Sequence, residues 1–255
     1  MLETLDDVPW SDLHHASGSA EDVPARLRSL LSGDAEVRRQ ARRACHDNLV
    51  HQGLRYEASA RAVPFLLEML DSPSTPERAE LIELLVALAI GDEESWLSHG
   101  AEPAGPEARA HETVGRGVPL FARLLDDDEA GVRRMAAFAL GWFPASAATS
   151  VPALAWALLD ADESVAATAA LSLGLAGEVH RLAVEALGAS FAGPRVLLRG
   201  ASAIGLARLQ GRDVPAPVVD ELRRWAAGGE PTGVPFAGGD LSGYAASALR
   251  EVKMP

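Results

Sequence analysis

Apolar residues recur along this chain at helical spacing, in blocks that repeat. One block runs through Val118, Phe121, Leu124 and Leu125, meets an acidic turn at Asp126-Asp127-Asp128, and resumes at Val132, Ala136, Ala139 and Leu140. Spacing of three and four residues on both sides of the turn predicts two amphipathic helices, A and B, folded back on each other. Pro119 falls in the first turn of helix A, where a missing N–H costs nothing. Carboxylates in the turn can cap helix B and complement its positive end, and Gly141 marks its close.

Three copies of the block overlay in full: AVPFLLEMLDSPSTPERAELIELLVALAIG, GVPLFARLLDDDEAGVRRMAAFALGWFP and SVPALAWALLDADESVAATAALSLGLAG. A fourth, DVPARLRSLLSGDAEVRRQARRACHDNL, keeps the first half. A unit at 179–211 keeps ASAIG, and a last one opens with DVPAPVVDELRRW. A lone hairpin of this kind cannot bury both faces, so neighbours must stack and share one core. The expectation is an all-α fold, an α-α superhelix of about six helical hairpins. It is read as one repeat domain over 1–255, with a cap at 1–19, an insertion at 91–116 and a glycine-rich loop at 228–239. Small residues on helix B, such as Ala136, Ala139 and Gly174, let neighbouring helices approach closely.

Composition supports helix over sheet, since aromatics are only 5% and Ala and Leu dominate. Net charge changes the picture more. At −13 the chain repels phosphate backbones, so no nucleic-acid partner is expected. Nearly every base is arginine; the one lysine is Lys253. A single cysteine, Cys45, excludes an intrachain disulfide and a cysteine metal cluster. It shares the apolar side of its helix with Ala41, which marks it as a core thiol. The opening MLETLDDVPW lacks the basic and apolar regions of a signal peptide, and no apolar run reaches membrane-span length. A reduced, cytoplasmic protein with no membrane partner is the expectation.

The pattern Val-Pro-x-Leu-x-x-Leu-Leu, acidic turn, Val-Arg-x-x-Ala-x-x-Ala-Leu-Gly resembles HEAT repeats, of the short type also found in bilin-lyase-like proteins. The likeness covers roughly residues 20–250. HQGLRYEASARAVPFLLEML further resembles a set of uncharacterised bacterial HEAT-repeat proteins. What the resemblance implies is the HEAT-like solenoid; it says little about function. HEAT-like DNA glycosylases rely on a basic concave face, which an acidic chain does not offer. Deoxyhypusine hydroxylase, another HEAT-like enzyme, builds a di-iron site from several His-Glu pairs, and here there is one, His111-Glu112. No cofactor or metal site is expected.

Two groups of residues remain as candidates for binding. Arg39, Arg42 and Arg43, with His46 one turn on, form the densest basic patch when Val37, Ala41 and Ala44 are turned inward. The opposing reading is a solvated face paired with Glu36 and Asp47. The stretch NLVHQGLRYEAS adds His51, Gln52, Arg55 and Tyr56, either as an extension of that patch or as a corner in which the B helix stops near Gly53. Aligned in register, the B helices place Phe138, Trp142 and Leu171 along an apolar stripe, open or buried according to how tightly neighbours stack. Trp156 has Arg28, Glu68 and Arg123 as register mates, which predicts an exposed tryptophan. Arg38 and Arg133 follow the core valine and are read as structural ties to turn carboxylates.

The function expected from this is a non-enzymatic scaffold that binds a protein or peptide, with acidic segments suited to the arginine patch, on its concave helix-B surface. The alternatives are an immunity-type or chaperone-like inhibitor of one protein, and an enzyme or lyase on the same scaffold with a site near His51, Arg55 and Tyr56.

Overall fold

The computed structural model describes residues 2–99, 105–177, 180–228 and 231–253. Among them the fold is all-α and built of stacked helical hairpins, as expected, with two short β-ribbons. Backbone contacts divide it into two compact units, Met1–Gly117 and Val118–Pro255.

In the first unit a ribbon of β1 (His14–His15) and β2 (Gly18–Ser19) precedes the hairpin of α1 (Val23–Ser29) and α2 (Ala35–Leu49). Asp34 caps α2, its side chain accepting from the Glu36 N–H at 2.8 Å. Trp10 in the lead segment is buried, donates from Nε1 to the Leu5 carbonyl at 2.7 Å, and packs on Phe65. A second ribbon, β3 (Val50–His51) and β4 (Leu54–Arg55), leads into α3 (Glu57–Leu70) and α4 (Arg78–Ile90). The described part of the 91–116 insertion is largely helical, with α5 (Glu93–His99) and α6 (Pro106–Gly115). Helix α6 packs against α3 and α4 and buries Ala110 and Val114.

Among its described residues the second unit holds four hairpins: α7 (Val118–Arg123) with α8 (Ala130–Leu140), α9 (Ala147–Ala157) with α10 (Glu163–Ala176), α11 (Arg181–Phe191) with α12 (Val196–Gln210), and α13 (Ala216–Ala226) with α14 (Ser242–Lys253). Helices α8, α10, α12 and α14 lie side by side in one layer, and α7, α9 and α11 neighbour one another in the other. Helix α10 is apolar nearly all round because it is covered on every side, and its residues from Val165 to Gly174 are all buried. It meets α12 at a glycine pair, where a Cβ on Gly174 would lie 2.7 Å from the Gly205 Cα.

Candidate functional site

The α2 face carries the basic patch, but the patch is neutralised from within the fold. Arg39 pairs with Glu36, and Arg43 lies 3.9 Å from Asp47. Arg42 is committed to Glu77, which also takes Arg38 at 2.9 and 3.1 Å. Partial burial would raise the Glu77 carboxyl, but hydrogen bonds and charge from Arg38 and Arg42 outweigh it and hold the group below its usual range. Across a shallow depression of about 250 Å³ the three arginines and His46 face Asp47, Glu80 and Glu83. Three carboxylates against three arginines leave little field for an acidic partner. Val37 is exposed rather than inward; the buried side of α2 is Ala41, Cys45, Asn48 and Leu49. Burial pushes the Cys45 thiol up to about 12, which makes it an inert core group.

The NLVHQGLRYEAS stretch is a corner of a different kind from the one expected. Helix α2 ends at Leu49, and β3 and β4 pair Val50 with Arg55 and His51 with Leu54. The turn between them needs two left-handed residues, supplied by Gln52 at φ 51° and Gly53 at φ 79°. Alternation along the ribbon then sends Val50 and Arg55 to the buried face and His51 and Leu54 to solvent. Arg55 donates to the Gly53 carbonyl and lies over Gly91. Burial lowers its pKa, and the charges of Glu107 and Asp92 offset part of that. Tyr56, half-buried, precedes α3, its N–H donating to Ser59 Oγ at 2.7 Å, while Ser59 donates to the Leu49 carbonyl at 2.7 Å. His51 and Gln52 therefore share no face with Arg55, and Arg55 is not a surface contact. This separation also removes the convergence that a catalytic site at His51, Arg55 and Tyr56 requires.

The apolar stripe is core. Phe138, Trp142 and Leu171 are 6%, 2% and 2% exposed. The residue that closes Phe138 and Trp142 off is Phe236, from the glycine-rich segment. Its ring lies edge-on to Phe138 at 4.7 Å, 5.8 Å from Trp142 and 5.8 Å from Tyr244. The loop that delivers it is pinned by Thr232, whose N–H and Oγ–H both donate to the Gly239 carbonyl at 2.9 Å. A lone aromatic inside GGEPTGVPFAGG was the available signal, since a loop built only for turning has no use for phenylalanine.

One apolar surface does stay open in the second unit. Trp156 at the end of α9 is 69% exposed and Leu159 is 72% exposed. Both line a depression of about 400 Å³ together with Leu125, Ala157 and the run Asp126-Asp127-Asp128. Leu159 was missed in sequence, although it stands where the preceding copy has Asp126, an apolar residue in an acidic register. The floor is held by Arg133, as its register predicts: Nε and Nη2 reach the Asp160 carboxylate at 2.7 and 3.1 Å, and Nη1 donates to the carbonyls of Asp127 and Asp128 at 2.8 and 3.1 Å. Burial would raise Asp160, but the Arg133 hydrogen bond and the Asp162 N–H outweigh it and hold its pKa down. Asp126 and Asp128 make no ion pair among the described residues.

A depressed carboxyl pKa stabilises the fold above the unfolded value, near 3.8, and that stabilisation is lost as pH falls through the folded value. Thermal melts from neutral pH down to about pH 3 should therefore show the wild type converging on Asp160→Asn. A constant gap between the two across that range would contradict the assignment.

Among the described residues no group of three or more His, Cys, Asp and Glu is placed to hold a metal, and no helix is long and apolar enough to cross a membrane. Residues 118–207 match the family model described as HEAT repeats, the segment that contains the Trp156 depression. No curated protein matches the chain. HEAT repeats commonly serve as protein-interaction scaffolds, and the fold is typically non-enzymatic.

Proposed function

We propose, from a chain whose residues 118–207 are HEAT repeats, that it is a non-enzymatic scaffold whose partner protein docks over Trp156 and Leu159. The observation that carries this reading is a large aromatic and a leucine, each about seventy percent exposed, side by side in one depression on a frame locked by Arg133 and Asp160. An isolated exposed apolar residue needs no explanation; two in a formed concavity have the make-up of a contact hot spot. The helix-B stripe, where the register placed the interface, is filled by Phe236, so the open apolar surface lies instead at the turn where α9 meets α10. The α2 face, with Arg39, Arg43 and His46 exposed beside Glu80 and Glu83, suits a second contact that carries both signs of charge.

Site-specific photocrosslinking tests the reading. A benzoylphenylalanine in place of Leu159 should yield one discrete protein adduct in source cells, and the same probe in place of the exposed Arg181 should not. The identified partner, once purified, should form a complex with the wild type and lose it with Trp156→Ala. The same adducts from both positions, or none from 159, would refute the proposal.

A further inference from the structure

The chemistry around Trp156 is one-sided. From 123 to 163 the chain carries seven carboxylates against three arginines, and Arg195 reaches in to the Asp160 carbonyl at 2.8 Å. Arg133 is spent on Asp160, and Arg134 is turned toward Ser164 at 3.4 Å. Asp126 and Asp128, which line the depression with Trp156 and Leu159, make no ion pair with a cation among the described residues. An acidic segment entering here would meet repulsion. A purely apolar one would cover the tryptophan but strip water from two carboxylates and give nothing back. A cation satisfies both at once, because the face of an indole attracts positive charge and the aspartates pair with it. Guanidinium fits better than ammonium: it is planar, stacks on aromatic faces, is weakly hydrated and offers a fork of donors to a carboxylate.

We propose that the depression takes an arginine-bearing segment of a partner protein, with the guanidinium stacked on Trp156 and paired with Asp126 and Asp128, and an aliphatic neighbour against Leu159. This rests on the scaffold reading above and adds the chemistry of what docks. The protein's overall balance of −13 favours the same encounter at longer range.

The test uses the full chain and a labelled hexapeptide, Gly-Leu-Arg-Arg-Leu-Gly, read by fluorescence anisotropy at low salt. Counterparts carry citrulline, lysine or glutamate in place of arginine; citrulline keeps the shape and removes the charge. The arginine peptide should bind saturably, the lysine form more weakly, and the citrulline and glutamate forms at least about tenfold more weakly. Trp156→Ala, and Asp126→Asn with Asp128→Asn, should each cost about tenfold. Arg181→Glu, at an exposed position on α11 outside the depression, should leave binding unchanged. All these are surface changes, so unaltered melts certify the fold. Equal binding of citrulline or lysine, indifference to the two asparagines, or no saturable binding of the arginine peptide would each overturn the proposal. So would a concentration-dependent dimer that Trp156→Ala dissolves, since it would give the surface to a second copy. The two readings fail differently. A partner crosslinked at 159 that is lost in Trp156→Ala but survives the two asparagines keeps the scaffold and removes the arginine. No discrete adduct at 159 removes the scaffold reading itself.

Discussion

Phe236→Ala should lower the unfolding free energy by about 3–5 kcal/mol, seen as a fall of roughly 10–15 °C in the thermal midpoint. Its ring is fully buried and walled by Phe138, Trp142 and Tyr244. The loss belongs at the upper end of the range for such truncations, because the site cannot collapse. Two hydrogen bonds from Thr232 to the Gly239 carbonyl fix the loop, and Ala237 and Gly238 are already in left-handed backbone conformations that leave no slack. Two of the walls stand on α8 and its end, held in the layer by α10. Phe236→Leu, which keeps much of the volume, should cost less than about 1.5 kcal/mol. In the alanine variant the uncovered Phe138 and Trp142 should also bind a hydrophobic dye that the wild type excludes. A melt within about 0.5 kcal/mol of wild type would mean that the loop does not close over the stripe.

The same ring shows where the sequence stopped being legible. Hairpins could be read because each is specified within some thirty residues: Val118, Phe121 and Leu125 face Val132, Ala136 and Leu140 across one turn. Arg133 could be assigned because its partner, Asp160, sits at a repeat-defined place one copy on. Phe138 also took its register position, yet its exposure is decided by Phe236, nearly a hundred residues away, outside the periodic pattern. Arg55 failed for a related reason. Its neighbours in sequence, Leu54 and Tyr56, say nothing of its burial, and the backbone it packs against, at Gly91, lies at the start of the 91–116 insertion. The α2 terminus was misread by four residues because a left-handed glycine serves equally to stop a helix or to turn a two-residue hairpin; Gly53 does the second. Trp156 was legible as exposed because its register mates are charged, and Leu159 could have been, by the same comparison with Asp126.

Gly174→Val is expected to destabilise the chain by more than about 3 kcal/mol, and Gly174→Ala by about 1–2 kcal/mol. The obstacle is backbone, which cannot rotate away. A Cβ at Gly174 would sit 2.7 Å from the Gly205 Cα and 3.3 Å from its carbonyl oxygen, and one at Gly205 would sit 2.8 Å from the Ala170 carbonyl. Nor can α10 retreat toward α8, where the Cβ position of Gly141 already lies 3.0 Å from the Ser172 Cα. Helix propensity pushes the other way, since alanine in a helix interior gains about 1 kcal/mol over glycine. Gly188 in α11 isolates that term, having nothing within 4 Å of its Cβ position. Gly188→Ala should therefore raise the melting temperature while Gly174→Ala lowers it, and this opposition of sign is the measurement. If Gly174→Val melted at or above wild type, the close approach of α10 and α12 would be wrong. The spacing matters to the proposed interface as well. Arg133 on α8 reaches across to Asp160 just ahead of α10, so an α10 forced off its neighbours strains the tie beneath Trp156. Binding at the depression should weaken in Gly174→Ala, still folded, before the unit itself is lost.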